Sequence, residues 1–145
     1  MKDLRYTRAY DEPPSGAAEV EDTTLDSSPL LGEWDSTNEE TRGIVKLIIS
    51  AGGNGDLVVR AYGACSPSPC DWGEVEGQIF SLGINLRAAE AFKAFYDFGF
   101  METFLAAYLN KRILVVDAYN VFKDQSGRAH YFLRDHFYQK ESESS

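Results

Sequence analysis

Between Leu30 and Tyr138 apolar residues recur mostly at every second position, in short runs that turn residues break about every 8–12 positions. Successive side chains of a strand point to opposite faces, so this period commits the chain to half-buried strands. Leu30–Asp35 makes a short first run, and Gly43–Ile49 is a β-branched second one. Ser50-Ala-Gly-Gly-Asn-Gly55 then supplies hairpin chemistry before Leu57–Tyr62. Gly73–Phe80 follows, with Val75 and Ile79 on one parity. Arg112–Phe122 is the clearest strand, and Asp124-Gln-Ser-Gly127 turns it into Ala129–Tyr138.

Leu86–Leu109 decides the fold class. Leu86–Phe95 favours helix by propensity, and Phe92, Phe95 and Phe98 recur every three residues. Phe98-Gly99-Phe100 would break such a helix, however, and Met101, Thr103, Leu105, Ala107 and Leu109 alternate with Glu102 and Phe104. Read as strands, these segments bring the total to about eight. The expectation is all-β, a single antiparallel up-and-down barrel; the alternative is α+β with a helix near 86–97.

A chain of 145 residues fits one domain with a real core. Residues 1–28 carry seven acids against three bases and little apolar content, and are read as a disordered acidic tail. Residues 29–138 form the barrel domain, and 139–145 a fraying C-terminal tail. The net charge of −9 argues against nucleic acid and anionic membrane surfaces as partners. No secretory signal and no membrane-length apolar run is visible, so a cytoplasmic location is the default.

The two cysteines bracket a proline-stiffened turn, Cys65-Ser-Pro-Ser-Pro-Cys70, followed by Asp71-Trp72-Gly73. They are read as shielded thiols or as a disulfide. A metal would need two more ligands, and His130 and His136, six apart on one strand, lie about 20 Å from each other. Neither a metal nor a cofactor is expected.

Gly32-x-Trp34 at the start of this strand series resembles the calycin superfamily, which includes lipocalins, fatty-acid-binding proteins and avidins. The resemblance implies that Trp34 closes one barrel end with Arg128 or Arg134 packed across its ring, and that the interior binds a small molecule. Over residues 30–138 the chain also resembles small bacterial domains of unassigned function. That likeness rests on the Cys-x4-Cys-Asp-Trp-Gly motif, Tyr96-Asp-Phe-Gly-Phe100 and Phe122–Arg128, and it implies no activity.

The leading functional expectation is therefore binding of a small apolar or amphipathic molecule inside the barrel. Tyr62, Trp72, Phe95, Phe98, Phe104, Tyr119 and Tyr131 would line the pocket, and Arg42, Arg128 or Arg134 would orient a polar end. A second expectation is a cofactor-free cyclase or isomerase using Asp117 or Glu102 as acid or base, with Asp97 a weaker candidate. For Asp117 the alternative is a solvated face or an ion pair with Lys123 or Arg134. A third is a pocketless interaction module that docks a partner through its acidic tail or an edge strand. A monomer or homodimer is expected in each case. Gly32, Trp34, Cys65, Cys70 and Asp71 are assigned structural roles.

Overall fold

The computed structural model describes residues 25–84 and 86–141, so most of both expected tails lies outside the described residues. Eight strands follow one another: β1 (Gly32–Ser36), β2 (Ile44–Ala51), β3 (Leu57–Gly63), β4 (Cys70–Phe80), β5 (Ala91–Asp97), β6 (Met101–Asn110), β7 (Ile113–Phe122) and β8 (Tyr131–Gln139). Each pairs antiparallel with the next, and β8 returns to β1, closing an up-and-down barrel. No α-helix occurs among the described residues. Where helix was the alternative, Ala91–Asp97 pairs along its whole length with β6, from Ala91 opposite Tyr108 to Asp97 opposite Glu102. Phe92, Ala94 and Tyr96 are buried while Lys93, Phe95 and Asp97 are exposed. That period of two overrides the helical propensity of the alanines.

The barrel interior is a packed core. Leu47, Leu57, Val59, Leu105, Leu114 and Phe137 are fully buried, with Trp34, Ile49, Phe92 and Val116 nearly so. One end is closed by a single 3-10 turn, Ser28–Leu30, whose Leu30 is fully buried. The Trp34 indole donates to the Leu30 carbonyl at 3.0 Å, which ties this plug to β1. Ahead of the plug, Asp26 bridges to Ala88 in the β4–β5 connection. After β8, the Lys140 amide donates to the Glu33 carbonyl at 2.8 Å.

The other end, the mouth, carries the disulfide turn and the β1–β2, β5–β6 and β7–β8 connections. The β3–β4 register shifts between Arg60 and Tyr62, and Gly73, at φ 86°, supplies the left-handed residue beside this bulge. Tyr96 reaches across from β5 to satisfy it. Its hydroxyl accepts the Ala61 amide at 3.1 Å and donates to the Gly73 carbonyl at 2.8 Å. Trp72 lies over Gly63, where a Cβ would sit 2.5 Å from the indole nitrogen; only glycine fits there. β4 pairs with β5 only over Gly77–Phe80 and Ala91–Ala94, so the two strands part toward the mouth.

Candidate functional site

Each strand of the β5–β8 half places an aromatic ring at the same level on the outer surface. Phe95 lies opposite Phe104, Phe104 opposite Tyr119, and Tyr119 opposite Phe132. The ring centroids of Phe104 and Tyr119 are 6.4 Å apart, and those of Tyr119 and Phe132 are 5.1 Å apart. All four side chains stay 38–48% exposed. Tyr108 and Val121 extend the apolar surface along β6 and β7. Contiguous apolar surface of this kind on a folded chain marks a contact site far more often than isolated exposed residues do.

The row corrects the expected pocket lining. Phe95, Phe104 and Tyr119 point outward because their strands bury the opposite parity: Ala94 and Tyr96, Thr103 and Leu105, Ala118 and Asn120. Phe132 was missed altogether. Tyr62 is also outside, beneath the cations of Lys46 (5.1 Å) and Arg60 (5.9 Å). Arg134 is on the outer face too, where its guanidinium donates to both carboxylate oxygens of Asp117 at 2.6 and 2.9 Å. This pairing holds the Arg134 pKa above its ordinary value.

The proposed acids sit on that same outer face rather than in a pocket. Asp117 is held by Arg134. Lys123 lies 3.4 Å from Glu102 and donates to Asp97 at 2.8 Å. The Lys123 bond, with a second from the Gly99 amide, keeps the Asp97 carboxyl below the usual range. A general acid or base needs a proton within hydrogen-bond reach of a bound substrate. None of these three carboxylates faces the barrel interior.

Trp72, Phe98, Tyr131 and Arg42 do gather at the mouth. The rings of Trp72 and Phe98 meet edge to face at 5.1 Å, and Tyr96 stacks on Phe98 at 5.6 Å. Beneath the mouth, Arg42, Trp72, Met101, Asn120, Tyr131 and Asp135 enclose about 40 Å³, room for a few water molecules. Asn120 and Asp135 are already engaged there. Thr103 donates to Asn120 at 2.6 Å, Asn120 donates to the Tyr131 carbonyl at 3.3 Å, and Thr41 donates to Asp135 at 2.8 Å. An open apolar notch of about 270 Å³ lies beside it, between Asp71, Trp72, Phe98, Phe100 and Met101.

The remaining assignments fall at the turns. Cys65 and Cys70 are joined as a disulfide, with Cα atoms 5.5 Å apart. Asp71 pairs with Arg60 and accepts the Gly73 amide at 2.9 Å; Arg60 first, then Gly73, holds its pKa down. Arg128 closes the β7–β8 turn through Asp124 at 2.6 Å and Ser126 at 2.9 Å, and lies 4.1 Å over Phe122. Bonds from Ser126 and then Arg128 lower the Asp124 pKa to about 2. Neither Arg128 nor Arg134 is the arginine expected across Trp34: each is committed elsewhere. Gly32, at φ 127°, starts β1 in a conformation that side chains resist, and the Gln139 amide donates to the neighbouring Leu31 carbonyl at 2.7 Å.

Compared with protein families, curated proteins and solved structures, the chain finds no match.

Proposed function

We propose that the protein is a calycin-like barrel that works as an interaction module, docking a macromolecular partner on the outer face of β5–β8. The calycin likeness is supported by the eight-stranded up-and-down order and by the 3-10 turn that plugs the barrel beneath Trp34. One observation carries the docking reading: the row Phe95–Phe104–Tyr119–Phe132 stands exposed on four adjacent strands. Small-molecule pockets of about 300–1,000 Å³ bury most of their ligand. The space under this mouth is about 40 Å³, with large side chains filling the barrel below it.

A second reading keeps a small apolar ligand at the mouth, because the Trp72–Phe98–Met101 notch is open and apolar. The cyclase reading has less support, since Asp117 and Glu102 are both on the outer face and paired with cations. Native mass spectrometry of the protein taken from its own host separates docking from carriage. The docking reading predicts a macromolecular complex that Phe104→Thr with Tyr119→Thr abolishes, and no small adduct. A stoichiometric small-molecule adduct that survives both substitutions contradicts it.

A further inference from the structure

We propose that the barrel mouth binds a free α-amino acid with an aromatic side chain. Asp135 takes its ammonium, Arg42 its carboxylate, and the notch beside Trp72 its ring. This inference rests on the second reading above, a small ligand at the mouth, and names its chemical class. It leaves the β5–β8 face free to dock its partner.

The parity of β8 that turns Arg134 outward turns Asp135 inward, onto the cavity beneath the mouth. Arg42, in the β1–β2 connection, lines the same cavity. Among the described residues neither of these two charges belongs to an ion pair, with the other or elsewhere. Asp135 accepts the Thr41 hydroxyl on Oδ1 at 2.8 Å, which leaves Oδ2 open. Gly43 makes space for that oxygen, since a Cβ there would sit 2.9 Å from it. Asn120 lines the cavity too. Its amide accepts from Thr103 and donates to the Tyr131 carbonyl, so one N–H and one lone pair stay unused.

Opposite charges held apart in one crevice complement a ligand that carries both. A lone cation at Asp135 would face Arg42, and a lone anion at Arg42 would face Asp135. Either would leave one protein charge without compensation. A zwitterion gives each side chain its opposite.

The cavity of about 40 Å³ holds a few waters, which an ammonium-and-carboxylate head replaces. The ring lies outside, in the open notch of about 270 Å³ that shares Trp72 and Met101 with the cavity. Trp72, Phe98 and Phe100 offer ring faces and edges there, and Met101 a thioether. Such surfaces favour an aromatic side chain over an aliphatic one. Asp71 at the notch is already paired with Arg60, so it adds no competing charge. A ring on an open notch is only partly enclosed, and a Kd of about 0.1–1 mM is expected. A ligand this weak is lost on purification and leaves no adduct, which is compatible with the docking reading.

Titration of the isotope-labelled chain with L-phenylalanine, followed by amide NMR spectra, tests the site. The Trp72 indole and Asn120 side-chain signals should shift and saturate with a Kd below about 1 mM. Phenethylamine and phenylpropionate each lack one charge, and glycine lacks the ring; each should bind at least about tenfold more weakly. Asp135→Asn keeps an acceptor for Thr41 and should weaken L-phenylalanine about tenfold while tightening phenylpropionate. Arg42→Gln should weaken L-phenylalanine likewise and tighten phenethylamine instead. Side chains that merely support the mouth would not exchange these preferences. Unchanged preferences in both variants overturn the proposal. If either analogue binds wild type as tightly as L-phenylalanine, a mouth site stands and the zwitterion does not. No saturable shift with any of these compounds at about 10 mM overturns the proposal and the mouth-ligand reading together.

Discussion

Tyr96 is the residue through which the two halves of the mouth depend on each other. Its hydroxyl serves the Ala61 amide and Gly73 carbonyl beside the β3–β4 bulge, which β-pairing leaves without cross-strand partners. Phe at position 96 keeps the ring and strands both groups, so Tyr96→Phe should cost about 1–3 kcal/mol in denaturant unfolding at neutral pH. Burial pushes the Tyr96 pKa up to about 12. A folded pKa above the unfolded value of about 10 adds stability that is complete below pH 10 and is lost as the pH rises through 12. Unfolding followed from pH 9 to 12 should show that loss in wild type and much less of it in Tyr96→Phe. Gly63→Ala makes a companion test at Trp72. The new Cβ would lie 2.5 Å from the indole, and a cost of about 1–3 kcal/mol is expected in the same assay. Neither role was legible in the sequence, because a bulge shows only once β3 and β4 are in register.

At the level of elements, the β6–β7 hairpin is closed by the wrong residues for its turn. Asn110 pairs with Ile113, so Lys111 and Arg112 alone make the loop, at φ 52° and 73°. Such turns prefer Asn-Gly, and each ordinary side chain held at positive φ costs of order 1 kcal/mol. Lys111→Asn with Arg112→Gly should therefore raise stability by about 1–2 kcal/mol, read as a higher Tm. The mouth turns respond to acid. Asp71, Asp97 and Asp124 all have lowered pKa values, so their contribution is present above about pH 4 and is lost as the pH falls through those lowered values, about 2 for Asp124. Hydrogen-exchange protection at the mouth turns, taken relative to the intrinsic rate at each pH, should fall over that window. The disulfide turn contributes about 2 kcal/mol on the loop-entropy account, which reduction of the folded protein should remove.

For the whole molecule, the barrel was legible and its inside was not. Strand count and order followed from period-two runs and turn chemistry, even at 86–98, where Gly99 and the alternation after Met101 outweighed helical propensity. Which parity faced inward was harder, because β6 and β7 are apolar on both faces, and a one-residue shift exchanges core for surface. The signal was nevertheless present. Every member of the outer row stands two residues from a charged one: Lys93-x-Phe95, Glu102-x-Phe104, Asp117-x-Tyr119 and Phe132-x-Arg134. Charge marks the solvent face, and the aromatics share it. The claim that the core lies within and the working surface without is tested most directly by two neighbours on β6, compared by equilibrium denaturation at a concentration where the chain is monomeric. Leu105 is fully buried and Phe104 is 38% exposed. Leu105→Ala should cost about 2–5 kcal/mol, and Phe104→Thr about 1 kcal/mol or less. A near-neutral Leu105→Ala beside a strongly destabilising Phe104→Thr would contradict the account.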